Sequence, residues 1–314
     1  MAVVIASAGF ALALLCAVTM GYGVQRGATC AVSAVDEIVN RRRAAKLAAI
    51  AEAALWVAGL LLLLRALGVT MAAPKGYALG AWTILGGMLL GFGAWVNRAC
   101  VFGTVARVGS GEWVYLLTPL GFIAGCFAMA PVVHWIAPAR APVAPPLLAA
   151  PELLLLPFAA LMLWRLWEAG HAMRRRDFAR HIWSPHRATV VIGIAFVAML
   201  LTVGAWAYTD ALAELVLGGM GATAVRLILL AGLFGGSILA GQTNGAGMTR
   251  PTMRGAIRCF AGGMLLGAGG VLVPGSNDGL LLLGMPLLQP YAWAAFAAMT
   301  ATIGAALLVS RRLA

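Results

Sequence analysis

Apolar runs long enough to cross a bilayer, roughly 17–25 residues each, fall at 2–24, 45–66, 77–97, 113–137, 152–168, 188–208, 222–241, 256–275 and 287–309. The pattern predicts nine membrane-spanning helices in one all-α transmembrane domain covering residues 1–314. Four of these runs do not end in ordinary loops. They break into glycine-laced polar stretches: Gly21–Cys30, Asn97–Cys100, Gly241–Gly247 and Pro274–Asp278. Irregular polar backbone at membrane depth survives only when buried in protein or facing a water-filled cavity. The breaks therefore predict broken or re-entrant helices.

The pattern also repeats. At an offset of 176 residues, Gly86–Gly91 (GGMLLG) recurs as Gly262–Gly267, Gly93 recurs as Gly269, and Cys100 falls opposite Ser276. The copies lie on the third and eighth predicted spans. Their places in the order differ by five, an odd number, so they would run in opposite directions. That is the mark of an inverted-repeat transporter, whose site lies near the midplane where the halves meet. The halves would be about 1–150 and 151–314, joined by the proline-rich stretch 138–151. Within each copy Gly-x-x-x-Gly spacing suits close helix packing, which explains the glycines but not the polar residues that follow them.

Composition strengthens this picture. Charged residues are 10% of the chain and hydrophobic ones 62%, against about 25% charged in soluble domains. The net charge of +12 is explained by placement. With the amino terminus outside, eighteen of the 22 Lys and Arg fall on the cytoplasmic side, as the positive-inside rule requires. The excess charge sets topology and excludes a nucleic-acid footprint. The first run lacks the basic n-region of a cleaved leader and is expected to be a retained helix. Residues 165–187, with His171, His181 and His186, read as a basic cytoplasmic loop or a surface for a soluble partner or anionic lipid.

Enzyme chemistry finds little support. No metalloprotease, nucleophile-elbow, P-loop or dinucleotide motif occurs, and no metal or cofactor is expected. The five cysteines show no metal spacing. Cys16, Cys126 and Cys259 suit small buried hydrophobes. Cys30 precedes a stretch, 31–43, whose acids (Asp36, Glu37) come early and whose bases (Arg41–Arg43) come late. This suits a helix with its N-terminus toward Cys30, where free N–H groups attract an anion.

Polar residues at the breaks mark a substrate path: Gln25, Arg26 and Cys30, then Asn97, Arg98 and Cys100, then Ser276 and Asn277. Arginine beside thiol and amide donors favours an anion. Thiols donate and accept weakly, so they can pass a soft ligand along without trapping it.

The cysteine-ended glycine-rich helices, together with Pro274–Leu282 (PGSNDGLLL), resemble the YeeE/YedE sulfur-transport family, which includes the bacterial thiosulfate transporter. The resemblance implies a bacterial inner-membrane protein with an hourglass-shaped path, three functional cysteines that relay thiosulfate, and no cofactor. Cys30 and Cys100 match the first two by their motifs; Ser276 stands at the position the repeat assigns to a third. It also implies a cytoplasmic TusA-like sulfur carrier or a rhodanese as partner. Uptake of thiosulfate or a closely related sulfur anion is the expected function. Transport of sulfite or an organosulfur compound, membrane sulfur transfer, and a subunit that docks a soluble carrier remain as alternatives.

Overall fold

A computed structural model describes residues 2–28, 30–69, 76–136, 144–174, 185–218 and 223–313. The described residues are predominantly helical, with no β-strand among them. In order come α1 (Ala2–Gly27), α2 (Ala31–Arg41), α3 (Ala45–Ala66), α4 (Ala81–Asn97), α5 (Val101–Gly109), α6 (Leu117–Met129), α7 (Val133–Ile136) and α8 (Pro146–Ala149). The second part holds α9 (Leu155–Arg174), α10 (Pro185–Val203), α11 (Tyr208–Leu217), α12 (Thr223–Gln242), α13 (Met253–Leu272), α14 (Ser276–Gly279) and α15 (Pro290–Leu313). A π turn, Leu280–Gly284, continues α14.

Seven helices among the described residues are long and apolar enough to cross a membrane; they are built on α1, α3, α4, α10, α12, α13 and α15. The two other predicted spans are occupied by the shorter apolar α6 and by the 20-residue α9. This is an all-α integral membrane protein. Expectations for residues 138–143 and 175–184, including His181, lie outside the described residues.

Between the long helices stand short ones, α2, α5, α11 and α14, at the predicted polar breaks. The repeat extends to all of them. Adding 176 to the positions of α1 through α6 lands in turn on α10, α11, α12, α13, α14 with its π turn, and α15. Packing follows the same correspondence. α1 lies on α12 as α3 lies on α10, α6 lies on α13 as α15 lies on α4, and α4 crosses its own counterpart α13. α9 has no counterpart.

The repeated glycines build these contacts from two faces. On one, α4 and α13 meet directly: a Cβ at Gly93 would stand 2.9 Å from the Leu266 nitrogen, and one at Gly269 2.9 Å from the Leu90 nitrogen. On the other, Gly87 and Gly91 seat α15, with Cβ positions 2.5 Å from the Ala295 oxygen and 2.4 Å from the Met299 oxygen. Their counterparts Gly263 and Gly267 seat α6, at 2.3 Å from the Thr118 oxygen and 2.1 Å from the Phe122 oxygen. Side-chain-free faces allow backbones to approach where lipid offers no hydrophobic drive for association.

The charges need one correction. Arg165, assigned above to a basic loop, lies within α9, where its Nε and Nη2 each donate to Glu52 of α3 at 2.6 Å. His186 of α10 also bonds Glu52. The resulting cluster ties α3, α9 and α10 together and satisfies a buried carboxylate that would otherwise be costly in the bilayer.

Candidate functional site

The short helices converge in pairs. Cys30 and Cys100 are the N-cap residues of α2 and α5, and each thiol accepts a backbone N–H from the start of the other helix. Ala31 N donates to Cys100 Sγ at 3.2 Å, and Cys100 N donates to Cys30 Sγ at 3.5 Å. An uncapped helix start leaves N–H groups without partners, and oxygen side chains normally fill that role. Here sulfur fills it, and sulfur is a weaker acceptor. Gly103 makes the arrangement possible, since a Cβ there would fall 2.5 Å from Cys30 Sγ.

Cys30 opens onto a cavity of about 830 Å³ whose polar lining includes Gln25, Ser33, Arg98, Arg107, Ser110 and Arg258. Asp36 and Glu112 line it too, with Glu112 paired to Arg107 at 2.7 Å. Cys100, 1% exposed, lies behind Cys30. A second cavity, of about 360 Å³, lies at the opposite ends of α4, α13 and α15 and is lined by Tyr77, Asp210, Glu214, Gly275, Gly279 and Tyr291 among others. Tyr208 sits between the two regions. Its ring is buried against Phe234, and its hydroxyl donates to the Val101 carbonyl at 2.9 Å, fastening the start of α11 to the start of α5.

The predicted site residues divide by what their polar atoms do. Gln25, Cys30 and Arg98 line the larger cavity. Arg98 closes α4 in the left-handed conformation, φ 59°, which holds its exposed side chain at the cavity rim. Arg26 does not line it. Its guanidinium bonds Asn244 and Thr243 beyond α12 and Tyr22 within α1, locking two helix ends. Asn97 is fully committed: its amide nitrogen donates to Ala99 O at 2.9 Å and Thr104 Oγ1 at 3.1 Å, and its oxygen accepts from Thr118 at 2.9 Å. It holds the α4–α5 break in shape and has no atom left for a substrate.

Ser276 and Asn277 behave differently. Both are buried, yet Ser276 Oγ and both amide atoms of Asn277 lack a hydrogen-bond partner among the described residues. Buried polar atoms are satisfied in the great majority of cases, so these are groups in search of water or a ligand. Sequence reasoning gave no role to Tyr208, Asp278, Arg107 or Arg258. Arg107 and Arg258 counted only as topological charge, because the fold alone brings α5 and α13 to one cavity.

The short helices meet in pairs inside the helix bundle, between cavities at its opposite ends. The chain belongs to the YeeE/YedE sulphur transport family, whose model matches residues 26–307. A search of curated proteins gave no match.

Proposed function

We propose that the protein imports thiosulfate, or a closely related small sulfur-containing anion, across the bacterial inner membrane. In this reading the amino terminus is periplasmic, the carboxyl terminus is cytoplasmic, and the two halves form an inverted repeat. The smaller cavity then faces outside and the larger one the cytoplasm. The anion would pass Ser276 and Asn277, then Cys100, then Cys30.

The observation that carries the reading is the reciprocal thiol cap beside the arginine-lined cavity. Helix N-termini carry partial positive charge and free N–H donors that suit an anion. A carboxylate cap would hold those N–H groups firmly, since charge-assisted bonds are about twice as strong as neutral ones. A thiol holds them loosely and offers its own S–H to the terminal sulfur of thiosulfate. The anion can therefore exchange places with the caps at little cost and leave again. Arg98, Arg107 and Arg258 draw it onward into the larger cavity. A TusA-like carrier or rhodanese would accept it on that side.

One observation favours a harder cargo as the second reading: the repeat places a hydroxyl, Ser276, where a third thiol would stand. Sulfite would suit it. Uptake of sulfur-labelled thiosulfate into proteoliposomes tests both. Loss of one bond to a charged ligand removes about 1.5–3 kcal/mol, so Cys30→Ala and Cys100→Ala should each fall below about a tenth of parental uptake. Full uptake in both variants would overturn the relay. Uptake of sulfite but not thiosulfate by the parent would overturn the first cargo.

A further inference from the structure

The second half of the chain caps its facing short helices as the first half does, with carboxylates in place of thiols. Asp210 of α11 accepts the Gly275 N–H, at the N-cap of α14, at 3.1 Å. Asp278 of α14 accepts the Thr209 N–H, in the first turn of α11, at 3.3 Å, and takes the Thr209 hydroxyl on its other oxygen. Each acid is thus bound to the start of the other's helix. By the offset of 176, α11 corresponds to α2, and α14 with its π turn to α5. Asp278 is buried. Asp210 lines the 360 Å³ cavity, and a Cβ at Gly279 would lie 3.9 Å from its Oδ2.

An anion entering this cavity meets the Asp210 carboxylate in its wall, seated on the Gly275 N–H, with the buried Asp278 carboxylate close by on Thr209. Like charges in contact at an effective dielectric of about 20 repel strongly enough to suppress occupancy several-hundredfold. Among the described residues, the cation whose charge reaches Asp210 is Arg226, and its influence is the smallest of those acting there. Arg226 of α12 is engaged with Glu214. The other titratable groups facing the pair are Tyr77, Tyr208, Cys126 of α6 and Tyr291 of α15, all uncharged in their acid forms. The charged residues of α13 (Arg254, Arg258) lie at its far end. Burial raises both carboxyls, and the charge of Asp278 raises Asp210 further. Beside them, on the same turn, lie the buried and unpartnered Ser276 Oγ and Asn277 amide.

We propose that Asp210 and Asp278 form a proton-binding station linked to the anion: a proton taken up by the pair neutralises the caps and admits the anion to the Ser276 and Asn277 donors. Asp210 and Asp278 are positioning residues here; the donors touch the cargo. Linkage is reciprocal, so anion binding draws a proton in. The inference rests on the anion-uptake reading, and its test separates the two.

Proteoliposomes with fixed internal pH and clamped potential are given labelled thiosulfate as external pH drops from about 7.5 to about 5.5, across the range where raised carboxyls titrate. Parental uptake should rise about tenfold. Asp210→Asn and Asp278→Asn keep an oxygen acceptor without the charge, and should transport at the same rate at both values. A parent insensitive to pH, or a double Asn variant that keeps the response, overturns the proposal. If no thiosulfate enters at any pH, the cargo reading fails instead. Infrared spectroscopy of the detergent-solubilised parent then decides the proton site: a protonated-carboxyl band should fade as pH rises and be missing from either Asn variant that elutes as folded protein. Absence of that band in the parent at about pH 5.5 overturns the proposal as well.

Discussion

Cys30 and Cys100 cap each other's helices: the N–H of Ala31 points to one sulfur at 3.2 Å and the N–H of Cys100 to the other at 3.5 Å. The pair is asymmetric in access, because Cys30 lines the larger cavity while Cys100 is buried behind it. A small maleimide supplied from the larger-cavity side should therefore modify Cys30 well before Cys100, and should leave Cys16, Cys126 and Cys259 untouched in their buried sites. Saturating thiosulfate should slow labelling of Cys30 about tenfold, the protection expected when a ligand fills roughly nine-tenths of sites. Mass spectrometry of the labelled peptides reads both results. Equal labelling of Cys30 and Cys126 would contradict the placement.

The Glu52 cluster gives a stability prediction. Glu52→Gln leaves Arg165 and His186 facing an uncharged amide inside the helix bundle. Breaking one partner of a buried pair costs about 3–5 kcal/mol, so the melting temperature in detergent should drop by several degrees. Pairing Glu52→Leu with Arg165→Met should recover most of the loss, because the one carboxylate then left without its arginine, Glu168, is exposed rather than buried. A single variant that melts with the parent would place the cluster in water.

The glycine faces make a third prediction. A methyl at Gly267 would stand 2.1 Å from the Phe122 carbonyl oxygen, whereas Gly9 has nothing within 4 Å. Gly267→Ala must push α6 off α13 and should lose about 1–3 kcal/mol, as overpacked cores do. Gly9→Ala should melt with the parent. Gly91→Ala, the counterpart against α15, should lose a similar amount.

Asp210 predicts a pH dependence with a definite sign. Burial first, then Asp278, push its carboxyl up to about 7, from about 3.9 in an unfolded chain. Between those values the folded protein holds the proton more tightly than the unfolded one. Stability therefore falls as pH rises from about 4 to about 7. Asp278, pushed up to about 6, adds a loss of the same sign. Melting curves across this range should slope downward in the parent and less steeply in Asp210→Asn. An upward slope would show that the carboxyl is held low.

Much of the fold was readable because lipid forces long, uniform apolar runs. Seven of the nine predicted spans coincide with helices long and apolar enough to cross a membrane, and the stretch after Cys30 forms a helix that stops at Arg41, where Arg42 turns left-handed at φ 52°. The repeat was visible only where glycine packing had kept it in step; α2 and α11 correspond in space while sharing little spelling. The site was less legible, because a polar side chain near a break looks the same whether it faces cargo or protein. Asn97 spends its amide on Thr104 and Thr118. Arg26 finds Thr243 and Asn244 across more than two hundred residues. Asp278 reaches Thr209 over 69 positions. Such partners follow from the tertiary fold and leave no local pattern.

The glycine seams also limit how this protein can move. α4 rests on α13 and α15, and α13 on α6, with backbone against backbone at the glycines and side chains such as Leu90 and Val273 wedged beside them. Such a joint cannot slide or tilt without collision, so the long helices serve as a fixed chassis. Any opening and closing falls to the small parts mounted inside it: α2, α5, α11, α14 and the Tyr208 latch between them. Turnover is then set by ångström-scale adjustments of caps and latch, and tethering the long helices to one another should leave it intact.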